Sequence, residues 1–558
     1  GAENTVVGRN ALAANTTTDS NTAVGANALA ANTAAENTAI GFNAAAANTS
    51  GVRIIAIGKG AYDGSDTEND NIAIGHEAMT TNTAGGTLNV AIGNYSLDAL
   101  TSGDDNTAVG HNALGANTTG SDNTSIGFDT MKANTTGADN VAVGVGSLIA
   151  NTTASQNTAI GRAALYTNTT GADNVAVGRY ALLANTTGAQ NTALGSGALD
   201  ANTTANNNTA LGFDALGANT EGTQNLAVGE ESLLANTTGG QNVAIGSESM
   251  KANTTGSNNV ALGRNALKGN TTAANNVALG MDTLVANTTG TRNLAIMKNA
   301  LNASDTEDDN LAIGYNAMTT NTAGGTYNIA VGNYALDALT SGDYNIAIGG
   351  SAGSAINTGG DNTIVGYLAG NALTSGADNV AIGSTALYTA TTVSGNTALG
   401  SNALKLTAAA DNTGIGRSAL EDNTTGTQNT AVGKGALANN TTAGQNTAIG
   451  REALFTNTTG ADNVAVGSAA LYTNNGAQNT AIGRNALLSN TTGAGNVATG
   501  YDALRANTTS DDNTAVGYQS LVANTTGASN VGIGRSALLA NTTGANNVAM
   551  GRDALAAN

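Results

Sequence analysis

The side chains best suited to binding chemistry in this sequence recur directly after one glycine. Twelve of the 19 Lys and Arg residues, both histidines and seven Phe or Tyr residues occupy the position after the glycine of a recurring Asn-Thr/Val-Ala-Val/Ile/Leu-Gly motif; in one copy, before Lys298, Met297 replaces that glycine. Arg and aromatic side chains dominate the energetics of many binding surfaces. Such a column could bind a carbohydrate or a protein receptor. It could also form a contact between chains, and we favour this simpler interpretation because Asp or Glu often follows directly.

We call this column the post-glycine stripe, defined as the residue directly after the motif glycine in every copy. Its candidate binding or inter-chain residues are Arg162, Arg179, Arg264, Arg417, Arg451, Arg484, Arg535, Arg552, Phe128, Phe213, Tyr315, Tyr501 and Tyr518. Its other basic and aromatic members are Arg9, Lys59, Lys298, Lys434, Phe42, Tyr367, His76 and His111.

Residues for catalysis and metal binding are scarce. The chain has no Cys and two His, so a thiol nucleophile, a Cys-based zinc site and a disulfide framework are excluded. No Ser/His/Asp set or phosphate-binding loop stands out, and identical columns offer no unique pocket. We therefore predict that the protein is not an enzyme and has no catalytic residue, cofactor or metal site.

A weak calcium signal comes from acids that precede the motif in consecutive copies, at Asp105, Asp122 and Asp139. Stacked like charges repel each other, and Ca²⁺ between neighbouring copies would relieve that repulsion. A solvated turn explains these acids more simply, because most copies carry Gln, Asn or Gly at the same place.

The overall charge and hydropathy narrow the possible partners. The formal net charge is −20 and the pI is about 4.2, which argues against nucleic acid as a partner. No run of 18 apolar residues exists, so we predict no membrane insertion of this segment. The expected partners are copies of the same chain and a host surface glycan or protein.

The columns exist because the chain is a tandem array. The motif occurs 33 times, almost always 17 residues apart, with a few steps of 16 or 18. A fixed short period of this kind indicates a solenoid, in which each repeat stacks on its neighbours. We predict one continuous array over residues 1–558 without separate domains. Within it, a 40-residue block at 65–104 recurs at 304–343.

The repeat is numbered from its first Asn, so that position 5 is the glycine and position 6 is the stripe. Positions 2 and 4 should share one face of a short strand, and Ala at position 3 should point to the other. We predict that the Val/Ile columns and Leu at position 9 form a dry core, while the Ala face packs closely against a partner. Position 5 should need a positive φ or close backbone approach. The Ala-Leu segment predicts either a single helical turn or a second short strand, and Asn-Thr-Thr-Gly predicts a turn.

Stacking puts each column in register with itself. We expect the position 1 asparagines to form a ladder of amides bonded along the stack. The structural ladder residues of positions 1 and 5 are represented by Asn174, Asn191, Asn242, Gly178, Gly195 and Gly246.

The strand motif resembles a known family. NVAIG at 242–246, with its relatives NTAIG and NVAVG, is similar to the head repeats of YadA-like trimeric autotransporter adhesins, and related repeats occur in phage tail fibres. The resemblance implies a left-handed parallel β-roll with three chains side by side, used outside the cell for attachment. The sequence departs from the adhesin pattern in its longer period and in showing neither a coiled-coil stalk nor a membrane anchor.

We therefore predict an all-β fold, a parallel β-solenoid or left-handed β-roll of about 33 rungs, each formed by one repeat, assembled as a homotrimer. The expected function is that of an extracellular structural fibre for attachment, on a cell surface or in a virion tail fibre. The alternative is a ligand- or ice-binding β-solenoid with exposed Thr and Asn ladders. The repeats at either end carry no atypical capping sequence, so we expect a piece of a longer fibre.

Overall fold

The computed structural model describes residues 2–557, and it confirms an all-β solenoid. Each copy of the motif forms one strand of three residues, and no helix occurs among the described residues. The chain divides into two compact units, Gly1–Asn276 and Val277–Asn558, which we describe separately.

The first unit contains 16 parallel strands. Each strand pairs in register with the next one along the chain, so that Ala159 of one strand faces Ala176 of its neighbour. The strands are β1 (Thr5–Val7), β2 (Thr22–Val24), β3 (Thr38–Ile40), β4 (Ile55–Ile57), β5 (Ile72–Ile74), β6 (Val90–Ile92), β7 (Thr107–Val109), β8 (Thr124–Ile126), β9 (Val141–Val143), β10 (Thr158–Ile160), β11 (Val175–Val177), β12 (Thr192–Leu194), β13 (Thr209–Leu211), β14 (Leu226–Val228), β15 (Val243–Ile245) and β16 (Val260–Leu262).

The second unit contains 17 strands that pair in the same parallel way, each with the next. The strands are β17 (Val277–Leu279), β18 (Leu294–Ile296), β19 (Leu311–Ile313), β20 (Ile329–Val331), β21 (Ile346–Ile348), β22 (Thr363–Val365), β23 (Val380–Ile382), β24 (Thr397–Leu399), β25 (Thr413–Ile415), β26 (Thr430–Val432), β27 (Thr447–Ile449), β28 (Val464–Val466), β29 (Thr480–Ile482), β30 (Val497–Thr499), β31 (Thr514–Val516), β32 (Val531–Ile533) and β33 (Val548–Met550).

The core of each rung is narrow, and its composition corrects one prediction. Leu at position 9 is buried as predicted, together with Ala at positions 3 and 8, and Ala176, Ala181 and Leu182 are all 0% exposed. The Val/Ile columns do not contribute to this core, because Val175 at position 2 is 38% exposed. A circuit as short as one repeat leaves room for only a methyl group opposite the leucine, so the strand turns its small residue inward. Positions 2 and 4 of the strands form what we call the outer sheet face.

The Ala-Leu segment is neither a helical turn nor a strand, so both predicted alternatives are wrong. In the rung of β11 the backbone is left-handed at Tyr180 (φ 65°) and again at Leu182 (φ 51°). The Leu182 amide donates to the Ala198 carbonyl of the next rung at 3.0 Å, and the Tyr180 amide donates to the Arg162 carbonyl of the previous rung at 3.1 Å. A sequence of φ angles that alternates in sign lets this turn form hydrogen bonds along the stack in both directions.

Glycine is required at position 5 for both predicted reasons, the positive φ and the close approach of neighbouring backbone. Gly178 has a φ of 138°, and a Cβ there would lie 2.3 Å from the carbonyl oxygen of Gly195 in the next rung. A side chain at this position therefore meets backbone rather than a flexible neighbour. Met297, which replaces the glycine in one copy, also has a positive φ, of 86°.

Two buried ladders of asparagine amides hold the rungs in register. At position 1, as predicted, Asn174 Nδ2 donates to Asn157 Oδ1 of the previous rung at 3.2 Å. A second ladder, which was not predicted, lies at position 12, where Asn185 Nδ2 donates to Asn168 Oδ1 at 2.8 Å. Both amides of the rung also donate to the carbonyl of Gly188 at 2.9 Å. These shared partners satisfy polar groups that would otherwise be costly to bury.

In two rungs with glycine at position 9, isoleucine side chains from other positions fill the core. Gly353 and Gly370 occupy that position in neighbouring rungs. A Cβ on Gly353 would lie 2.8 Å from the Cδ1 atom of Ile356, and one on Gly370 would lie 3.0 Å from the Cδ1 atom of Ile364. Both isoleucines are 0% exposed, so larger side chains at positions 12 and 3 replace the missing leucines.

Candidate binding surface

The structure places every candidate residue of the post-glycine stripe on the surface. All 13 named Arg, Phe and Tyr residues are exposed, each two residues after the end of a strand and directly after the motif glycine. The strand and the positive φ of the glycine set this position, since the chain leaves the sheet there and turns outward. Successive members therefore follow one another at roughly one strand spacing, about 4.8 Å per rung.

Aromatic members of the stripe contact each other along the stack. Tyr95, which lies at position 7 and was not predicted, connects the two histidines. Its ring centroid lies 5.4 Å from that of His76 and 5.8 Å from that of His111. His111 in turn stacks on Phe128 with a centroid distance of 5.3 Å. Four rungs thus share one aromatic column.

A second column combines aromatic and cationic side chains in four consecutive rungs. The rings of Tyr501 and Tyr518 stack at 5.4 Å with an interplanar angle of 9°. The Arg484 guanidinium lies 6.0 Å from the centroid of Tyr501, and that of Arg535 lies 5.5 Å from the centroid of Tyr518. Cation–π contacts of this kind are favourable and fix the direction of long side chains.

The predicted pairing of stripe arginines with the next acid occurs within the chain, for example at Arg451 and Arg552. Arg451 lies 3.7 Å from Glu452, and Arg552 lies 3.4 Å from Asp553. These pairs are exposed, so each contributes little stability.

Acids at position 7 also pair with lysines at position 10, a partner that the sequence analysis did not consider. Lys251 contacts both Glu231 and Glu248, and Lys268 contacts Glu248. The two lysines hold the pKa of the Glu248 carboxyl below its usual range, and the two acids raise the pKa of Lys251. In the sequence, each acid precedes its lysine partner by three residues or by one repeat plus three residues. The longer spacing brings the two side chains together only because neighbouring rungs stack.

Two open grooves lie between the stripe and the position 10 column. In the first, of about 370 Å³, Gly146 and Ala163 at position 7 line the groove with Phe128, Ile149 and Tyr166. The second, of about 650 Å³, is more polar. Its lining includes Phe42, Lys59, Asp63, Glu77 and Asp98. In the first groove, small residues at position 7 leave open space beside the stripe.

The acids at position 17 have a conformational role. Asp105, Asp122 and Asp139 have φ values of 56°, 60° and 58°, in the left-handed region that Asp tolerates better than most residues. This backbone requirement favours Asp, Asn and Gly at the position. Among residues 2–557 no group of three or more His, Cys, Asp or Glu side chains could hold a metal ion.

The two threonines of the turn differ in their environments. The Thr186 hydroxyl at position 13 donates to the Thr203 carbonyl of the next rung at 3.1 Å, so it is used within the stack. Thr187 at position 14 is exposed. Each such rung therefore displays one outward threonine rather than a pair.

The fold defines the class of this protein as a parallel β-solenoid. No family model and no curated protein matches the sequence. The search for a helix long and apolar enough to cross a membrane found none in the described part of the chain.

Proposed function

We propose that the protein is an extracellular structural fibre that mediates attachment, and that it assembles as a homotrimer through its outer sheet face. The observation that carries this proposal is the apolar character of that face. Position 4 presents Ile160 (40% exposed), Leu194 (44%) and Leu211 (41%) in the first unit, and Ile482 (42%) in the second. None of the 33 strands contains a charged residue.

A long apolar face of this kind needs a partner. Soluble monomers rarely expose contiguous apolar patches larger than a few hundred Å², and within each unit almost every rung adds apolar atoms to the same face. The inward face of the strand is already filled by Ala, so no local repacking could bury the outer residues. The chain itself does not cover them.

The occupant that fits best is another copy of the same chain. The outer sheet face carries an apolar column with one residue per rung, and the same face of a second copy has the same spacing. Because this face is uncharged, two chains of net charge −20 can meet there without placing like charges in contact. Three copies around one axis form a closed, symmetric assembly. The number three comes from the resemblance of the NVAIG motif to adhesin heads.

The post-glycine stripe, which would remain exposed in such an assembly, supports a role in attachment. The post-glycine stripe displays Arg and aromatic side chains in columns, which suits repeated weak contacts with a surface better than turnover in one pocket. We place such a fibre on a cell surface or in a virion tail. We rank the ice-binding alternative lower, because one hydroxyl of each Thr pair, such as that of Thr186, is already hydrogen-bonded.

The experiment is a mass measurement in solution by light scattering. The proposal expects three times the chain mass of 54.4 kDa. The triple variant Leu194→Lys/Leu211→Lys/Leu262→Lys should convert the trimer to a monomer that keeps its β circular dichroism, because it places charges on the outer sheet face.

The matched control adds the same charge at exposed threonines of position 14, in Thr170→Lys/Thr187→Lys/Thr204→Lys. This variant should remain trimeric. A wild-type chain that is a stable monomer, or a control that dissociates as readily as the face variant, would contradict the proposal.

A further inference from the structure

The stripe from Arg417 to Arg552 is the most basic surface column of an acidic chain. Over these nine rungs position 6 holds six Lys or Arg and two Tyr, whereas the eight preceding rungs of the same unit hold one basic residue there, Lys298. All eight of these basic and aromatic side chains are exposed. The basic residues are therefore concentrated in one part of one column.

The centre of this segment is the column of Arg484, Tyr501, Tyr518 and Arg535. Because the rings stack on each other and on the guanidinium groups, their faces are covered. What remains outward are guanidinium N–H groups, tyrosine hydroxyls and ring edges. The N–H groups donate, the hydroxyls can donate, and ring edges carry positive partial charge.

The two arginines are also electrostatically available. Within residues 2–557 neither Arg484 nor Arg535 forms an ion pair, and the contacts they do make are with the tyrosine rings. Asp502, the acid closest to this column in sequence, is 4% exposed, and Asn485 Nδ2 donates to its Oδ1 at 2.9 Å. Arg505 lies 4.0 Å from it on the other side. That carboxylate therefore has partners of its own.

We propose that this segment binds an anionic polysaccharide that lies along the stack. Carboxylate or sulfate groups contact Arg484 and Arg535, and sugar hydroxyls contact the hydroxyls of Tyr501 and Tyr518. This inference rests on the proposed function, since it needs the stripe to face solvent in the assembled fibre. It deepens that function by naming the chemical class of the attachment ligand.

Charge density favours a polysaccharide over a nucleic acid. Duplex DNA carries one charge per roughly 1.7 Å of axis, whereas Arg484 and Arg535 are three rungs apart, about 14 Å. A chain of net charge −20 repels a dense polyanion. An acidic polysaccharide has fewer charges per unit length, and its many hydroxyls match the tyrosines.

The test is titration calorimetry of the full chain with four polymers at low and at physiological ionic strength. Polygalacturonate and chondroitin sulfate separate carboxylate from sulfate recognition, dextran is the neutral polymer, and duplex DNA is the dense polyanion. We expect binding to at least one of the two acidic polysaccharides, none to dextran, and binding to DNA at least tenfold weaker. The double variant Arg484→Gln/Arg535→Gln should lose about tenfold or more in affinity, and Tyr501→Phe/Tyr518→Phe should lose less.

The matched control is Lys132→Gln/Lys405→Gln, which removes two charges at position 10 and should bind like the wild type. The proposal is overturned if the wild type binds neither acidic polysaccharide, if DNA binds as tightly, or if the control loses as much affinity. It is also overturned if Arg484→Gln/Arg535→Gln changes the mass in solution, since the stripe would then be an inter-chain contact. A monomeric wild type that still binds through these arginines would refute the trimer and leave this site intact.

Discussion

The two copies of the internal block, residues 65–104 and 304–343, combine nearly the same interior with different surfaces. Eight of their 40 positions differ, and only one of these, Ser96 against Ala335, is buried. On the surface His76 is replaced by Tyr315 and Leu88 by Tyr327. Because every rung must fit against the one before and after it, the interior tolerates little change, while the outward side chains can vary.

The most unusual feature that both copies share is a buried glutamate at position 15. The Glu68 carboxylate accepts from the Thr67 amide at 3.1 Å and from the Gly85 amide of the next rung at 3.2 Å. Glu307 accepts from the equivalent amides of Thr306 at 3.0 Å and Gly324 at 3.1 Å. The next rung in each copy is one residue longer than the usual repeat, and the glutamate holds the turn that contains the additional residue.

The core differs just before the two copies begin, in the rung that carries this glutamate. Tyr62 occupies position 9 of the rung that leads into the first copy, and its hydroxyl donates to the Glu68 carbonyl at 3.1 Å and accepts from Asn71 Nδ2 at 3.0 Å. Burial raises the pKa of Tyr62, so its hydroxyl stays protonated and able to donate. Leu301 occupies the equivalent position before the second copy. There the Ser304 hydroxyl donates to the Glu307 carboxylate at 3.0 Å.

The largest expected effect comes from removing the shared glutamate. Glu68→Ala and Glu307→Ala should each lower the local free energy of opening by about 3 kcal/mol, because several amides in partly buried hydrogen bonds lose a charged acceptor. Amide hydrogen exchange at Gly85 and Gly324 measures this locally, which suits a repeat array in which distant rungs open separately.

The control for this pair is Glu230→Ala, which removes an exposed carboxylate at position 6 and should leave both amides protected. If the two glutamate variants differed from each other by more than about 1 kcal/mol, the interiors of the copies would not be equivalent. Exchange rates no faster than those of the control would contradict a structural role for the glutamates.

A smaller effect is expected from exchanging the residue that differs in the core. Tyr62→Leu should destabilise the first copy locally by about 2 kcal/mol, since it leaves a cavity and removes two hydrogen bonds. Leu301→Tyr should destabilise the second copy by about 1–3 kcal/mol through overpacking. Hydrogen exchange at Thr67 and Thr306 reports the two changes.

Tyr344→Leu is the matched control, because this tyrosine is 56% exposed and its replacement should change local stability by less than about 1 kcal/mol. If Tyr62→Leu left the local stability unchanged, the core around Tyr62 could adopt the packing found around Leu301. The two cores would then not differ in what they require at position 9.

The smallest effect concerns an exposed ion pair that joins an aspartate of each copy to an arginine one rung earlier in the chain. Arg53 Nη2 donates to Asp70 Oδ2 at 2.7 Å, and Arg292 Nη2 donates to Asp309 Oδ2 at 2.7 Å. Each arginine holds the pKa of its aspartate below the usual range, and in the second copy Tyr327 lowers the pKa of Asp309 further. The folded pKa is depressed, so the contribution of each pair is present above the unfolded pKa of about 3.9 and is lost as pH falls through the folded pKa.

Carboxyl NMR titration of labelled Asp should show Asp70 and Asp309 still ionised below pH of about 3.9. Arg53→Gln should raise the pKa of Asp70. Tyr327→Leu, which copies the residue of the first block, should raise the pKa of Asp309 without changing that of Asp70. Ordinary titration of both aspartates in the wild type would refute the prediction.

Most of the fold was predictable because each column repeats 33 times. The period indicated a solenoid, Gly178 and its equivalents indicated close backbone approach, and Asn174 indicated an amide ladder; the structure confirms all three. The second amide ladder at Asn185 was missed, because Asn-Thr-Thr-Gly also has a sufficient local explanation as a turn. Local turn chemistry and long-range stacking select the same residue types here.

The candidate surface was predictable in its members but not in its contacts. The repeat pattern places Arg484, Tyr501 and Tyr518 in one column, whereas the stacking of the two rings and the arginine over each outer ring face are visible only in the structure. Such contacts depend on side-chain directions in neighbouring rungs, which are a full repeat apart in sequence. The pairing of Glu248 with Lys251 and Lys268 was missed for the same reason.

The sequence by itself determined the repeat, the parallel stacking, the glycine backbone and the exposed stripe, because each follows from a residue type that recurs at one period. Only the tertiary structure decided which strand face is inside. Because successive side chains of a strand point to opposite faces, Ala176 lies on one face and Val175 and Val177 lie on the other. This alternation does not determine which of the two faces is enclosed. The narrow interior of so short a circuit admits the methyl group and leaves the larger side chains outside, which creates the face proposed for assembly.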